Sequence, residues 1–377
     1  MTAVLTGVRV VIVNNFPGPG LGGGEVQALA LVRGLLAAGA EVRAVTALGG
    51  GFAAGVAAAG GVAVAMPLGV AGAMGAVRVI AGQIAGDGPV LVIGTGYWTN
   101  LLVRGAARGT SARVVNLVAV TPGASVADGG SRFGSALRRF VDRATASRVD
   151  AWVAVASAVA TALVADGAPA GSVHTIPNGI DIAALRASAN GSVPQLPDGR
   201  PLVVCAARLE VVKGVESLVR ATALIPGAVV AIAGDGPLEG RLREVAASLG
   251  VSERVVFLGR LSPIAPLLAA ADVVVLPSLS EGLPLVALEA MALARPVVAT
   301  RVGGTPEAVE DCVTGLLVAP GDPAALANAI ERLSDDPDFA RTLGAAGAIR
   351  VEERFTVKRM VDSYVALLAD ILAAPLR

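Results

Sequence analysis

The sequence predicts an α/β protein of two domains, each a doubly wound (Rossmann-like) parallel sheet, that face a cleft. Short β-branched runs alternate with longer Ala- and Leu-rich stretches of helical period. The alternation restarts after a Pro-, Gly- and Ser-rich stretch at residues 188–201. With 377 residues, of which 54% are hydrophobic and 16% charged, the chain has enough apolar material for two cores.

The first half opens with a near-continuous apolar run, as buried parallel strands do. A glycine loop follows it, and Glu25 then starts a stretch of helical period that stops at Gly39. Strands are predicted at Val8–Asn15, Glu41–Ala47, Pro89–Gly96, Ala112–Thr121 and Ala151–Ala160.

The second half repeats the pattern, and a last helix from about Lys358 to Ala373 lies beyond it. We therefore predict an N-terminal domain over residues 1–182, joined by the C-terminal helix at 357–377, and a C-terminal domain over 183–356. Strands are predicted at Pro201–Leu209, Ala228–Gly236, Arg254–Leu261, Asp272–Ser278 and Pro296–Val302.

Composition narrows the function classes. The formal net charge is zero, so nothing global favours a nucleic-acid partner. Cys205, Cys312 and the single His174 form neither a CxxC pair nor a metal-ligand spacing, so we expect no metal, no disulfide framework and a cytoplasmic protein. The start lacks the pattern of a signal peptide.

One segment invites a membrane interpretation, because Ala44 to Val77 carries no charge. It is rich in Gly and Ala and is broken by Pro67, whereas a spanning helix needs about 20 strongly apolar residues. Buried α/β core and loops are the favoured interpretation.

The richest segment begins at Ala271. A predicted strand leads into the loop Leu279–Leu283, and Pro284 is expected in the first turn of a helix, whose N-terminus would suit an anion. Glu281 lies in the loop and Glu289 in the second helical turn, among apolar neighbours. Vicinal sugar hydroxyls would satisfy such carboxylates. The plainer alternatives are a solvated Glu281 and a Glu289 paired with an Arg.

Two glutamates separated by seven residues in this setting resemble the donor-site signature of the retaining GT-B glycosyltransferases. The best match is the large family that includes sucrose-phosphate and phosphatidylinositol mannosyl enzymes. The resemblance covers nearly the whole chain and includes six further segments, which are GGGE at Gly22–Glu25, IPNGID at Ile176–Asp181, ARLEVVKG at Ala207–Gly214, AGDGP at Ala233–Pro237, VVFLGRL at Val255–Leu261 and PVVAT with GGTPE at Pro296–Glu307.

The resemblance implies a retaining, metal-independent hexosyltransferase that uses a nucleotide-diphosphate sugar, expected to be a UDP-sugar, as co-substrate without a further cofactor. Glu281 would contact the donor sugar and is the catalytic candidate, and Glu289 would hold the ribose. The C-terminal helix would cross back to the N-terminal domain. The remaining donor-binding candidates are Arg208, Lys213, Gly282, Leu283, Pro284, Leu285 and Arg260, with Arg208 and Lys213 on the diphosphate.

The glycine loop near the N-terminus admits two interpretations. Residues 18–23 match GxGxxG, but the second strand ends without the acid that a dinucleotide site needs, so NAD is disfavoured. By the resemblance, Gly22, Gly23, Gly24 and Glu25 form the acceptor and phosphate loop. Glu25 would accept from an acceptor hydroxyl or merely cap the helix.

The resemblance departs at Ala119–Gly123, where the family usually carries a histidine and this chain reads AVTPG. A retaining front-face transfer can still proceed if the leaving phosphate takes the acceptor proton. Three alternatives stay open: an epimerase or phosphorylase on the same frame, a hinged binding protein, and a catalytically weak sugar-nucleotide-binding homologue or partner subunit.

The sequence gives few indications of the acceptor. The Gly- and Ala-rich first half favours a small-molecule or lipid acceptor, and it offers as polar anchors Asn14, Asn15, Tyr97, Trp98 and Asn100. The basic stretch Ser131–Arg148 would be a solvated surface helix or a peripheral membrane contact. The sequence indicates no oligomeric state.

Overall fold

The computed structural model describes residues 4–16, 21–120 and 140–375. These residues form two compact units, described separately below. The first unit holds residues 4–16, 21–120, 140–179 and 357–375, and the second holds residues 180–356.

Within its described residues, the first unit has a sheet of seven parallel strands in the order β3-β2-β1-β4-β5-β6-β7. The central strands are almost fully buried, which explains their unbroken apolar sequence. The strands are β1 (Arg9–Asn14), β2 (Glu41–Ala47), β3 (Val62–Met66), β4 (Val90–Gly94), β5 (Arg113–Val118), β6 (Ala151–Ala154) and β7 (Val173–Thr175). The helices are α1 (Gly23–Ala37), α2 (Gly51–Ala58), α3 (Ala73–Ile84), α4 (Tyr97–Ala106) and α5 (Ser157–Ala165).

One predicted strand was too long. The run Ala151–Ala160 is a strand only as far as Ala154, and α5 begins at Ser157. Both halves of the run are apolar, and periodicity alone does not separate a buried strand from the start of a buried helix.

The charge-free stretch from Ala44 to Val77 folds as part of this unit. It contains most of β2, then α2, β3 and the start of α3. Of the helices that the structure describes, none combines the length and the apolarity that crossing a membrane would need.

Within its described residues, the second unit has six parallel strands in the order β10-β9-β8-β11-β12-β13. They are β8 (Leu202–Ala206), β9 (Val229–Ala233), β10 (Val255–Phe257), β11 (Val273–Leu276), β12 (Val297–Thr300) and β13 (Leu316–Val318). The helices are α6 (Ile182–Ser188), α7 (Val215–Thr222), α8 (Glu239–Ser248), α9 (Ala265–Ala270), α10 (Leu285–Ala292), α11 (Thr305–Ala308), α12 (Pro323–Asp335) and α13 (Pro337–Arg354).

The last helix, α14 (Val357–Ala373), belongs to the first unit. Its apolar face, with Val361, Tyr364 and Leu368, joins the core that β1 and α1 build. Gly34 of α1 lets the two helices approach closely, because a Cβ there would lie 2.3 Å from Val361 Cγ1. The predicted architecture of two parallel-sheet domains with a C-terminal helix that crosses back is thereby confirmed.

Candidate active site

The glutamate pair of the second unit lies where β11 ends. The chain leaves the sheet after Leu276, forms the loop at residues 277–283 and enters α10 at Leu285. The expectation that Pro284 is in the first helical turn was wrong by one residue. Pro284 is the N-cap, with φ −73° and ψ 115°. Proline has no N–H and disfavours a helical residue before it, so it ends the loop while the next N–H groups stay free to face an anion.

Glu281 is held by two donors on one oxygen. Lys213 Nζ and Ser278 Oγ each lie 2.7 Å from Glu281 Oε1. The Glu281 side chain is only 11% exposed. The alternative of a solvated loop charge is therefore excluded, and Lys213 and Glu281, both predicted donor-site residues, form an ion pair. Their role toward a donor stays a prediction.

Glu289 lies on α10, one turn beyond its start. Burial raises the pKa of its carboxyl from 4.5 to about 7. No cation among the described residues contributes to this shift. The structure therefore does not support the alternative that Glu289 pairs with an Arg. A carboxylate placed in this way gains stability from any ligand that donates hydrogen bonds to it.

The loop is fixed by the loops that follow the two neighbouring strands. Leu279 N donates to Val212 O at 2.8 Å, and Gly304 N donates to Gly282 O at 2.8 Å. Gly303 has φ +50°, and a Cβ there would lie 1.8 Å from Glu281 O. The close backbone approach explains why the sequence carries a glycine at this position, within the motif GGTPE.

The other predicted donor residues take different places. Arg208 follows β8 but pairs with Glu210, at 2.5 Å from Nη1 to Oε1, and its side chain is 61% exposed. Leu283 is buried, and Leu285 is the first residue of α10. Arg260 follows β10 at the same edge of the sheet. Arg208 therefore pairs with Glu210 in this structure, and its contact with a diphosphate stays a prediction.

Two functional candidates escaped the sequence analysis. Ser278 is 3% exposed and binds Glu281, and Thr300 is 1% exposed and donates to Ser278 O at 2.5 Å. The available signal was their position, because each is a polar residue at the carboxyl end of a buried parallel strand, where ligands of such sheets bind.

In the glycine loop of the first unit, Glu25 caps the start of α1, which was one of the two roles expected for it. Gly22 is the N-cap of α1, and its N–H donates to Glu25 Oε2 at 3.0 Å. Glu25 is 8% exposed. Gly23 and Gly24 form the first turn, and the role of this loop toward a ligand stays a prediction. Gly18 and Gly20 of the GxGxxG match lie outside the described residues.

The polar anchors of the first unit are largely used internally. Asn14 Nδ2 donates to Thr95 Oγ1 at 3.0 Å, and Asn100 Nδ2 donates to Leu117 O at 3.2 Å. Both asparagines are less than 5% exposed. Trp98 Nε1 donates to Leu68 O. Asn14, Trp98 and Asn100 therefore position loops, which weakens their candidacy as acceptor ligands.

Other predicted features lie partly outside the described residues. These are Thr121–Gly123 of the stretch that replaces the family histidine, and 131–139 of the basic stretch. Phe140, the first described residue of the basic stretch, is 69% exposed. Among the described residues no group of three His, Cys, Asp or Glu side chains is arranged to hold a metal ion.

Two family models match the sequence of this fold. The model described as Glycosyltransferase Family 4 matches residues 21–184, and the model described as Glycosyl transferases group 1 matches residues 200–336. The chain belongs to the GT-B glycosyltransferases. Residues 185–199, between the two matches, overlap the stretch that separates the two halves of the sequence, so each model matches within one half.

Curated relatives match parts of the chain. It is 38% identical over 174 residues to the putative glycosyltransferase EpsD of Bacillus subtilis, covering 44% of this chain and 46% of that protein. It is 35% identical over 228 residues to D-inositol 3-phosphate glycosyltransferase of Nocardia farcinica, covering 55% and 50%. The chain thus spans about half the length of the curated relatives it matches.

Solved structures agree on the fold over almost the whole chain. Sucrose-phosphate synthase of Thermosynechococcus elongatus has a TM-score of 0.80 at 24% identity, covering 97% of this chain and all of that chain. Anabaena Alr3699/HepE, solved with UDP and glucose, also has a TM-score of 0.80, at 22% identity and with 96% and 99% covered. At these identities the likeness shows the GT-B fold alone.

Proposed function

We propose that this glycosyltransferase transfers a hexose-type sugar from a UDP-sugar to an acceptor hydroxyl, with retention and without a metal ion. The observation that carries the proposal is the arrangement at the start of α10. Glu281, ion-paired with Lys213, precedes this helix start and Glu289 follows it, so two carboxylates and a cation surround an anion-binding helix end.

The diphosphate would be held by positive charge that the chain itself supplies. An ammonium group has three donors, and Glu281 uses one donor of Lys213, which leaves two for phosphate oxygens. The free N–H groups at the start of α10 add the positive end of the helix dipole. Arg208 would leave Glu210 to join them, since an exposed ion pair is worth only about 0–1 kcal/mol.

The two carboxylates would divide the remaining recognition. Glu289, which is half-buried one turn beyond the helix start, would accept hydrogen bonds from the two ribose hydroxyls. Glu281 would accept from hydroxyls of the transferred sugar. UDP is the favoured nucleotide because Anabaena Alr3699/HepE, which shares the fold, was solved with UDP.

The transfer step needs no protein nucleophile. The acceptor oxygen would attack the anomeric carbon on the face that the diphosphate leaves, the glycosidic C–O bond to phosphate would break, and the departing phosphate oxygen would take the acceptor proton. The chain's contribution is to position the donor and to stabilise the charge that develops on the diphosphate. A small-molecule or lipid acceptor is part of the proposal.

A panel of UDP-, GDP- and other nucleotide sugars, with release of nucleoside diphosphate as the readout, tests the proposal. Glu289→Ala is expected to raise the Kd of UDP about tenfold or more, and Glu281→Ala to reduce transfer with little change in UDP binding. Glu244→Ala, an exposed glutamate of α8, is the matched control. No turnover together with no nucleotide binding would refute the proposal, and binding without turnover would support a binding homologue instead.

A further inference from the structure

We propose that Ser278 is a positioning residue that, with Lys213, holds Glu281 by Oε1 so that Oε2 faces the donor sugar. The inference rests on the proposed function, because it assigns an orientation to the carboxylate that the sugar would contact. Ser278 precedes Glu281 in the chain and is not part of the segment from Glu281 to Glu289.

Both donors converge on the same carboxylate oxygen. Ser278 Oγ and Lys213 Nζ are each 2.7 Å from Glu281 Oε1. A carboxylate oxygen has about two lone-pair sites, so Oε1 is saturated, whereas no donor among the described residues bonds Oε2. A sugar hydroxyl that donates to Glu281 would therefore bind Oε2. Because two donors fix one oxygen, the position of the other is also fixed.

The support for Ser278 comes from the backbone. Thr300, the last residue of β12, donates through Oγ1 to Ser278 O at 2.5 Å. Leu276 of β11 pairs with Ala299 of β12, so this bond continues the sheet by one step into the loop. Ser278 is 3% exposed. The backbone of Ser278 is thus bonded to the last residue of β12, and its side chain is buried.

Ser278 and Lys213 differ in the interactions that they would make with the donor besides holding Glu281. The lysine carries a charge that the diphosphate would also use, so its substitution changes two interactions at once. The serine hydroxyl is neutral and touches only Glu281 among the proposed donor ligands. Ser278→Ala therefore removes the orientation of the carboxylate and leaves Lys213, Glu289 and the helix start in place.

The experiment compares the binding of UDP and of UDP-sugar by titration calorimetry. Ser278→Ala is expected to raise the Kd of UDP-sugar about tenfold, because the lost hydrogen bond orients the charged carboxylate that the sugar would contact. The Kd of UDP, which has no sugar to contact that carboxylate, should change less than twofold. Ser278→Thr, which keeps a hydroxyl, should restore most of the affinity for UDP-sugar. Ser334→Ala, whose hydroxyl bonds Ile330 O within α12, is the matched control.

A double-substitution cycle separates positioning from a general structural role. In a Glu281→Ala background, Ser278→Ala should change UDP-sugar affinity less than twofold, because the residue through which it acts is gone. An equal loss in both backgrounds, or an equal loss for UDP and UDP-sugar, would overturn the inference and leave the proposed function standing. A wild-type chain that binds neither ligand would overturn both.

Discussion

Nucleotide binding should depend on pH through Glu289. Burial raises the pKa of this carboxyl to about 7, and ribose hydroxyls donate more strongly to its ionised form. The ionised fraction is about nine tenths at pH 8, half at pH 7 and one tenth at pH 6. If only the ionised form holds the ribose, the Kd of UDP should rise about tenfold between pH 8 and pH 6, which corresponds to about 1.4 kcal/mol.

The assay is isothermal titration of UDP at several pH values from 6 to 8, with Glu289→Gln as the reference. The phosphate of UDP titrates near pH 6 in both proteins, so the difference between the two slopes isolates Glu289. The Gln variant should bind weakly and lack the additional slope. Identical slopes, or tighter wild-type binding at pH 6, would refute the assignment of ribose to Glu289.

The same pKa shift predicts how ligand-free stability changes with pH. Glu289 binds its proton more tightly in the folded than in the unfolded chain, so its contribution is fully present below about pH 4.5 and is lost as pH rises to about 7. The loss amounts to at most about 3 kcal/mol. Glu289→Gln should remove this pH dependence in urea unfolding, and UDP should stabilise the wild type most at the upper end of the range.

Three further substitutions test the geometry. Gly303→Ala should displace the Glu281 loop and reduce transfer at least about a hundredfold, because its Cβ would overlap Glu281 O, whereas Gly240→Ala, with open space around it, should be neutral in the same assay. Arg104→Leu should lower the free energy of unfolding by about 2–4 kcal/mol, because this 2%-exposed guanidinium bonds a carboxylate and a hydroxyl and stacks on an indole; a loss under about 0.5 kcal/mol in urea would contradict this. Asp322→Ala should cost about 1 kcal/mol through loss of the α12 N-cap, and Asp322→Asn should cost much less if capping is the cause.

The fold was predictable because parallel sheets impose simple patterns on the sequence. Buried strands such as β1 and β8 are continuous apolar runs, and each was predicted within a few residues. The strands left unpredicted lie at sheet edges. β3 is half exposed in a Gly- and Ala-rich stretch, and β7 and β13 have three residues each, so none of them shows the β-branched run of a central strand.

The candidate site was predictable only as a set of positions. The spacing of Glu281 and Glu289 on either side of a helix start indicated a polar ligand, and the structure places both there. The partners of the Glu281 carboxylate were not predictable. Lys213 lies 68 residues from Glu281 in the chain, and which oxygen it binds depends on side-chain packing that no local pattern encodes. Ser278 was overlooked for the same reason.

A crystal structure of the chain with a bound UDP-sugar tests the central claim most directly. The account predicts the diphosphate at the N-terminus of α10, the ribose hydroxyls on the Glu289 carboxylate, and a hydroxyl of the sugar on Glu281 Oε2. A nucleotide bound elsewhere, for example at the glycine loop of α1, or a Glu281 that turns away from the sugar, would contradict it.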